Sequence, residues 1–285
     1  MTGRPQGAPG TLVLVSTPIG NLGDLSGRAR ESLASAGIVA CEDTRRTGRL
    51  LELAGIPAPR LVALHAHNER ERSLSLVEEL RSGVDVAVVS DAGTPLLSDP
   101  GERLVAAAVD AGIPVVAVPG PSAALAALVV SGMATGRWRF EGFLPRKGPA
   151  RRERLEEIAS ATHASVLYES PARVEPTLRD LEEACGGARR VAIARELTKL
   201  HEQTWRGSLA EAREHVRAEA PRGEHVLVVD AAAAPRRIAA DEVAAGVARL
   251  VAQGMSRRDA VTAAVVLLGA SRHDAYEAAT RAARG

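Results

Sequence analysis

Residues 84–101 read VDVAVVSDAGTPLLSDPG. Val84–Ser90 is a short, β-branched apolar run, the pattern of a strand buried inside a parallel sheet. The residues after it hold Gly93, Pro95, Pro100 and Gly101 without helical periodicity, so they predict a loop at the strand's exit. The same grammar repeats outward in both directions. Thr11–Thr17, Ile38–Cys41, Leu61–Leu64 and Ile113–Val118 read as strands. Helices are expected over Ser26–Ala36, Thr44–Ala54, Asn68–Arg81, up to Ala111, and over Pro121–Val130. Strands alternating with helices imply right-handed crossovers and a mostly parallel sheet.

A second α/β unit follows Gly136. Its helices are expected at 150–161, 171–185 and 208–219, and its strands at 165–168, 190–194 and 225–230. Thr204–Gly207 adds a strand or hairpin. The tract from Ala231 to Arg237 reads as a linker, and three short helices follow, two of them capped by Ser256 and Ser271. The predicted organisation is a loose tail over 1–10, α/β domains over 11–136 and 137–232, and a helical module over 236–285.

Composition narrows the function classes. The 36 basic and 35 acidic side chains of the 285 residues leave a net charge of +1, which excludes a polybasic protein that binds through bulk charge. Two Trp, two Tyr and two Phe argue against an open stacking platform for single-stranded RNA. Two cysteines, Cys41 and Cys185, make neither a disulfide framework nor a zinc cluster and point to a reducing, cytoplasmic setting. The Gly/Pro-rich start is not expected to be a signal peptide, and no apolar run reaches the roughly 20 residues of a membrane span. Charge is concentrated at Arg137–Arg154, with seven basic and two acidic side chains around Trp138, Phe140 and Phe143. Arg151–Arg154 can be a solvated helix face, but the Pro145–Gly148 turn favours a phosphate contact.

Five loops at strand exits are candidates for chemistry, because ligands of parallel sheets gather there. They are Thr17–Asn21, Cys41–Arg45, His65–Glu69, Ser90–Gly101 and Pro119–Ala123. Turn chemistry explains any one of them but hardly all five. No G-x-G-x-x-G, no G-x-x-x-x-G-K-[ST] and no G-x-S-x-G is present, which speaks against dinucleotide, P-loop and esterase chemistry. His65 and His67 lack companions at metal spacing, so no metal is expected.

In order along the chain, TPIGNL, CEDTR, HAHNE, SDAGTPLLSDPG, VPGPSA, FEGFLPRKG, YESPAR, ARELTKLHEQ and GEHVLVV resemble the tetrapyrrole-methylase superfamily. The resemblance runs from about Gly10 to Asp230. It implies a class III methyltransferase: two α/β domains with S-adenosylmethionine in the cleft between them, a small helical module, and a homodimer. Within the superfamily the chain is similar to enzymes that methylate the ribose 2′-hydroxyl of a decoding-centre cytidine in 16S rRNA of the small ribosomal subunit. Carried over by motif, the cofactor-binding residues are Pro18, Asp91, Gly93, Thr94, Pro95, Ser122, Ala123, Tyr168, Ala194 and Gly223, with Phe143 added.

The residue types suit that chemistry. Methyl transfer from a sulfonium needs alignment and exclusion of water more than it needs acid or metal. Gly93 and Pro95 let backbone approach a ligand. Ser122 can meet a carboxylate, cap its helix, or do both. Asp91 can offset a positive charge, fix a ribose, or cap the helix beginning near Asp99. On the acceptor side His65 and Glu42 are base candidates. Arg45, Asn68, Arg146, Lys147, Arg151 and Arg152 are candidate RNA contacts, although the Glu42–Asn68 group can equally be a bracing network. The competing readings are a tetrapyrrole C-methyltransferase on the same fold and a non-catalytic RNA-binding assembly factor.

Overall fold

The computed structural model describes residues 7–57, 59–233, 240–268 and 271–281. Most of the expected tail, and most of the linker before the helical module, lie outside the described residues. Contacts divide the chain into two compact units, Met1–Ala231 and Ala232–Gly285.

The first half of the larger unit is a five-stranded, wholly parallel sheet. Its strands are β1 (Leu12–Val15), β2 (Ile38–Cys41), β3 (Arg60–Ala63), β4 (Val86–Val89) and β5 (Val115–Val118), in the order β3-β2-β4-β1-β5. β2 and β4 are buried at every position, as their unbroken apolar runs predict. Between the strands lie α1 (Gly27–Ser35), α2 (Thr44–Ala54), α3 (Glu69–Arg81) and α4 (Glu102–Asp110), and α5 (Ala123–Ser131) follows β5. Ser26 caps α1 by accepting from Ala29 N–H, and Asp43 caps α2. α2 stops at Gly55, whose φ of +65° closes the helix in the left-handed region. Leu76, Leu80 and Leu104 pack the helices against one face, while Leu33 and Leu51 cover the other.

The second half is a mixed sheet in the order β6-β7-β10-β8-β9. It comprises β6 (Trp138–Phe143), β7 (Ala164–Glu169), β8 (Arg190–Arg195), β9 (Gln203–Ser208) and β10 (His225–Val229), with helices α6 (Pro149–Ser160), α7 (Pro171–Cys185) and α8 (Leu209–Ala218). Only β6 and β7 are parallel neighbours. β10 inserts antiparallel between β7 and β8, and β8 and β9 form a hairpin, so the expected second α/β layer is built on a mixed sheet. β6 is a strand missing from the sequence reading. A bulge at Glu141, beside Gly142 at φ +60°, shifts its register so that Phe143 comes opposite Tyr168. α5 of the first half packs on the second sheet, where Ala124, Ala127 and Leu128 meet Val166, Ala194 and Val226.

The smaller unit is three helices, α9 (Ala240–Ala252), α10 (Arg257–Leu268) and α11 (Arg272–Arg281). Small side chains, Ala260, Ala264, Ala275 and Ala278, let them pack closely around Val243 and Val247. Ser256 and Ser271 accept from Asp259 N–H and Asp274 N–H at 3.2 and 3.0 Å, as the capping spacing predicts. No helix among the described residues is long and apolar enough to cross a membrane.

Candidate active site

Parallel strands put all five polar loops at one edge of the first sheet, and hydrogen bonds tie the other four to the fourth, Ser90–Gly101. Thr17 and Gly93 exchange backbone hydrogen bonds of 2.9 and 3.1 Å, with Gly93 at φ +88°. The Thr94 hydroxyl donates to Pro121 O at 3.1 Å and accepts from Ser16 Oγ at 3.3 Å. Glu69 reaches from the start of α3 to accept from Gly101 N–H and Arg103 N–H, satisfying the bare N-terminus of α4. Leu96 and Ser98 of the fourth loop hold positive φ without being glycine, and each costs about 1–3 kcal/mol that the surrounding ties sustain.

These loops and the second sheet enclose a cavity of about 330 Å³. Ile19, Ala92, Leu97, Ala123 and Val226 give it apolar walls, and Asp91, Asp99, Glu169 and Glu224 set carboxylates around them. Phe143 and Tyr168 meet edge to face with ring centres 5.6 Å apart. Burial pushes the Tyr168 phenol pKa up, opposed by hydrogen bonds with Ala124 N–H and Ser122 at the head of α5. His225 lines the same wall, and burial pushes its pKa down, so the ring is neutral at physiological pH.

Of the carried-over residues, Asp91, Thr94, Ala123, Phe143 and Tyr168 line this cavity. Gly93 and Pro95 lie beside them in the loop. Pro18 neighbours the lining residue Ile19, and Ser122 caps α5 by accepting from Leu125 N–H at 3.5 Å. Ala194 is buried in β8 opposite Val226 and acts on the wall from behind. Gly223 has φ +74°, and a Cβ there would overlap the Glu196 carboxylate, which accepts from Glu224 N–H at 3.0 Å. The sequence reading missed Arg46, Asp99, Glu169 and His225, all of which line the cavity. Each sits within or directly beside a quoted motif, so adjacency was the available signal.

A second, open and polar cavity of about 550 Å³ adjoins the first and shares Arg46 and Asp91 with it. Glu42, Arg45 and His65 line it, so the structure brings three acceptor-side candidates together. Asp91 does not cap a helix. Its carboxylate accepts from Asp43 N–H at 3.3 Å and from Arg46 Nη1 at 3.1 Å. The His65 Nδ1 is buried without a hydrogen-bond partner among the described residues. Arg45 is almost fully exposed. Asn68, expected to touch RNA, is occupied otherwise: its Oδ1 accepts from His65 N–H at 2.9 Å and its Nδ2 donates to Ala63 O at 3.1 Å. It braces the loop. Among the described residues no group of three or more His, Cys, Asp or Glu is placed to hold a metal ion.

The basic segment is partly neutralised. Arg139 and Arg154 pair with the buried Glu141 at 3.0 and 2.7 Å. Arg151 is a correction to the expected RNA contact, since its side chain is only 10% exposed. It donates to Asp180 at 2.8 Å, to Pro145 O at 2.9 Å and to Thr177 Oγ1 at 3.1 Å. Thr177 in turn donates to the buried Glu169 at 2.7 Å, and Arg173 joins Glu169 to Leu144 O. Arg151 therefore anchors the 144–148 turn to the cavity wall. Arg146, Lys147 and Arg152 are exposed and, among the described residues, form no ion pair.

The comparisons with known proteins assign these two sheets and their cavity to a methyltransferase. The model of the family described as Tetrapyrrole (Corrin/Porphyrin) Methylases matches residues 11–213, and the chain belongs to that family. A Synechocystis protein named ribosomal RNA small subunit methyltransferase I is 44% identical over 88% of this chain and 90% of its own length. The protein of the same name from Haemophilus influenzae is 41% identical over 94% and 95%. Among solved structures, the methyltransferase CobJ superposes with a TM-score of 0.60 at 23% identity, over 80% of this chain and 97% of that one. Uroporphyrin-III C-methyltransferase from Thermus thermophilus, complexed with S-adenyl homocysteine, gives 0.56 at 17%, over 77% and 96%.

Proposed function

We propose that this protein transfers a methyl group from S-adenosylmethionine to the ribose 2′-oxygen of a decoding-centre cytidine, cytidine 1402, of 16S rRNA. The observation that carries this reading is the junction of the two cavities at Asp91 and Arg46. The enclosed cavity suits the donor, and the open polar one beside it suits a ribose-phosphate acceptor. At about 330 Å³ the donor cavity lies within the usual range for small-molecule sites. Its aromatic and aliphatic walls fit a purine, and its carboxylates fit a sulfonium cation. The donor supplies a methyl group on a positively charged sulfur that leaves as a neutral thioether.

The chain's own residues do the rest. Asp91, Thr94, Ala123, Phe143 and Tyr168 would hold the donor, while Pro18, Gly93, Pro95, Ser122, Ala194 and Gly223 shape the backbone around it. Glu42 and His65 face the acceptor. Arg45 is placed to meet its phosphates, and Arg146, Lys147 and Arg152 offer uncompensated charge from the 144–148 turn and α6. The ribosomal substrate places the protein in the cytoplasm. With radiolabelled S-adenosylmethionine, label is expected on small ribosomal subunits that lack this methyl group, and none on a tetrapyrrole acceptor. Label on the tetrapyrrole alone would support the other branch of the family.

We further infer a homodimer. β5 is an edge strand with Val116 47% exposed, and α5 exposes Leu125, Val129 and Val130. A second copy that covers them removes an unpaired edge and an apolar patch together. Sedimentation should find a species of about twice the 29.8 kDa chain mass. The double variant Val116→Lys with Val129→Glu should move it to monomer. A wild-type monomer at micromolar concentration contradicts the inference.

A further inference from the structure

Asp99 occupies a position that no structural role explains. It lies near the end of the fourth loop, on the wall of the first cavity, which it lines together with Arg46 and Asp91, the two residues that also line the open one. Among the described residues its carboxylate forms no hydrogen bond and no ion pair. Yet the backbone that carries it is held firmly. Ser98 before it is at φ +69°, and Gly101 and Arg103 after it are fastened by the Glu69 carboxylate. A fixed carboxylate with its lone pairs uncommitted, on the wall of the donor cavity and within electrostatic reach of Glu42 on the acceptor side, is placed to take a proton. Glu42 and His65 line the open cavity and not the donor one.

We propose that Asp99 is the general base of the methyl transfer, which rests on the reading above. Asp99 accepts the proton of the acceptor hydroxyl on a carboxylate oxygen while the hydroxyl oxygen bonds the methyl carbon. The carbon–sulfur electron pair stays with the neutral thioether, and Asp99 then releases the proton to water.

The electrostatics agree with that task. Burial, first, and then the Glu42 and Asp91 carboxylates raise the Asp99 pKa to about 6, close to working pH, where a general base is most effective. Glu42 faces it from the exit of β2 and Asp91 from the exit of β4. Tyr168 on β7, and Arg46, Glu169, Glu224 and the neutral His225, line the same cavity. Arg46 is engaged by Asp91 and leaves Asp99 without a cation.

The test compares wild type with Asp99→Asn and Asp99→Glu. In Asp99→Asn the kcat should fall about 100- to 1,000-fold, while S-adenosylmethionine affinity by calorimetry changes less than about threefold. The wild-type kcat should rise with pH through a limb near 6, the limb should vanish in Asp99→Asn, and Asp99→Glu should restore part of the rate. A melting comparison reads the same carboxyl without turnover. Its native pKa lies above the ordinary aspartate value of 3.8, so the native state binds more protons between the two values and loses stability as pH rises through about 6. Asp99→Asn should therefore raise Tm near pH 7.5, and the gain should disappear near about pH 4. An unchanged kcat, a surviving limb, or a cofactor affinity that collapses with the rate would overturn the proposal. A wild-type protein that leaves RNA unmethylated would instead overturn the reading beneath it, and the melting comparison would still report on Asp99.

Discussion

Arg151→Ala is expected to destabilise the fold by about 3–5 kcal/mol, the usual consequence of removing one partner of a buried ion pair. The substitution leaves Asp180, Thr177 Oγ1 and Pro145 O without the guanidinium they share. It also frees the 144–148 turn from the Glu169 network that forms part of the cavity wall. In a chain of this size the loss should lower Tm by roughly 6–20 °C, at about 2–4 °C per kcal/mol. The neighbouring cations should behave in the opposite way. Arg146→Ala, Lys147→Ala and Arg152→Ala together should leave Tm nearly unchanged and reduce the salt slope of RNA binding by roughly 2, about 0.7 per phosphate contact. Thermal melts and binding titrations at several salt concentrations separate the two roles. An Arg151→Ala variant that melts like wild type and loses only RNA affinity contradicts the anchoring role.

Gly93→Val should abolish cofactor binding while the two sheets still form. Valine is strongly disfavoured at φ +88°, and its Cβ would lie 3.2 Å from Ile19 Cγ2. Relieving the strain means breaking the paired hydrogen bonds between Gly93 and Thr17, and with them the junction of the first and fourth loops. About 1–3 kcal/mol of backbone strain converts to roughly a 5- to 150-fold loss of affinity even if the loops otherwise survive. Calorimetry with S-adenosylmethionine measures it, and circular dichroism shows that the fold remains. Wild-type affinity in Gly93→Val would mean that this loop does not shape the donor site.

The parallel sheet was legible because its strands are buried on both faces. Val86–Val89 and Ile38–Cys41 have no polar residue to blur them, and Gly55 and Ser26 mark where helices end and begin. The second sheet was less so. Alternation of strand and helix does not say which strand enters the middle, and β10 enters antiparallel. In β6, Trp138 and Phe140 alternate with Arg139 and Glu141, a period-two pattern hidden by the density of charge. The same density suggested an RNA surface where three of the arginines in fact hold buried or half-buried carboxylates. Charge is visible in a sequence, but its compensation depends on partners such as Asp180, 29 residues from Arg151. The cavity lined by Asp91, Thr94, Phe143 and Tyr168 was legible by motif, since loops at parallel strand exits converge by geometry. Asp99 was not, because its chemistry comes from the burial and neighbouring carboxylates that the fold supplies.

The central claim concerns which atom receives the methyl group. Small ribosomal subunits from cells lacking this protein would be incubated with the purified enzyme and radiolabelled S-adenosylmethionine. The RNA would then be digested with nuclease and mapped by mass spectrometry. One methyl group is expected, on the ribose 2′-oxygen of the decoding-centre cytidine. Label on a base, on another nucleotide, or absent from RNA despite calorimetric cofactor binding would contradict it.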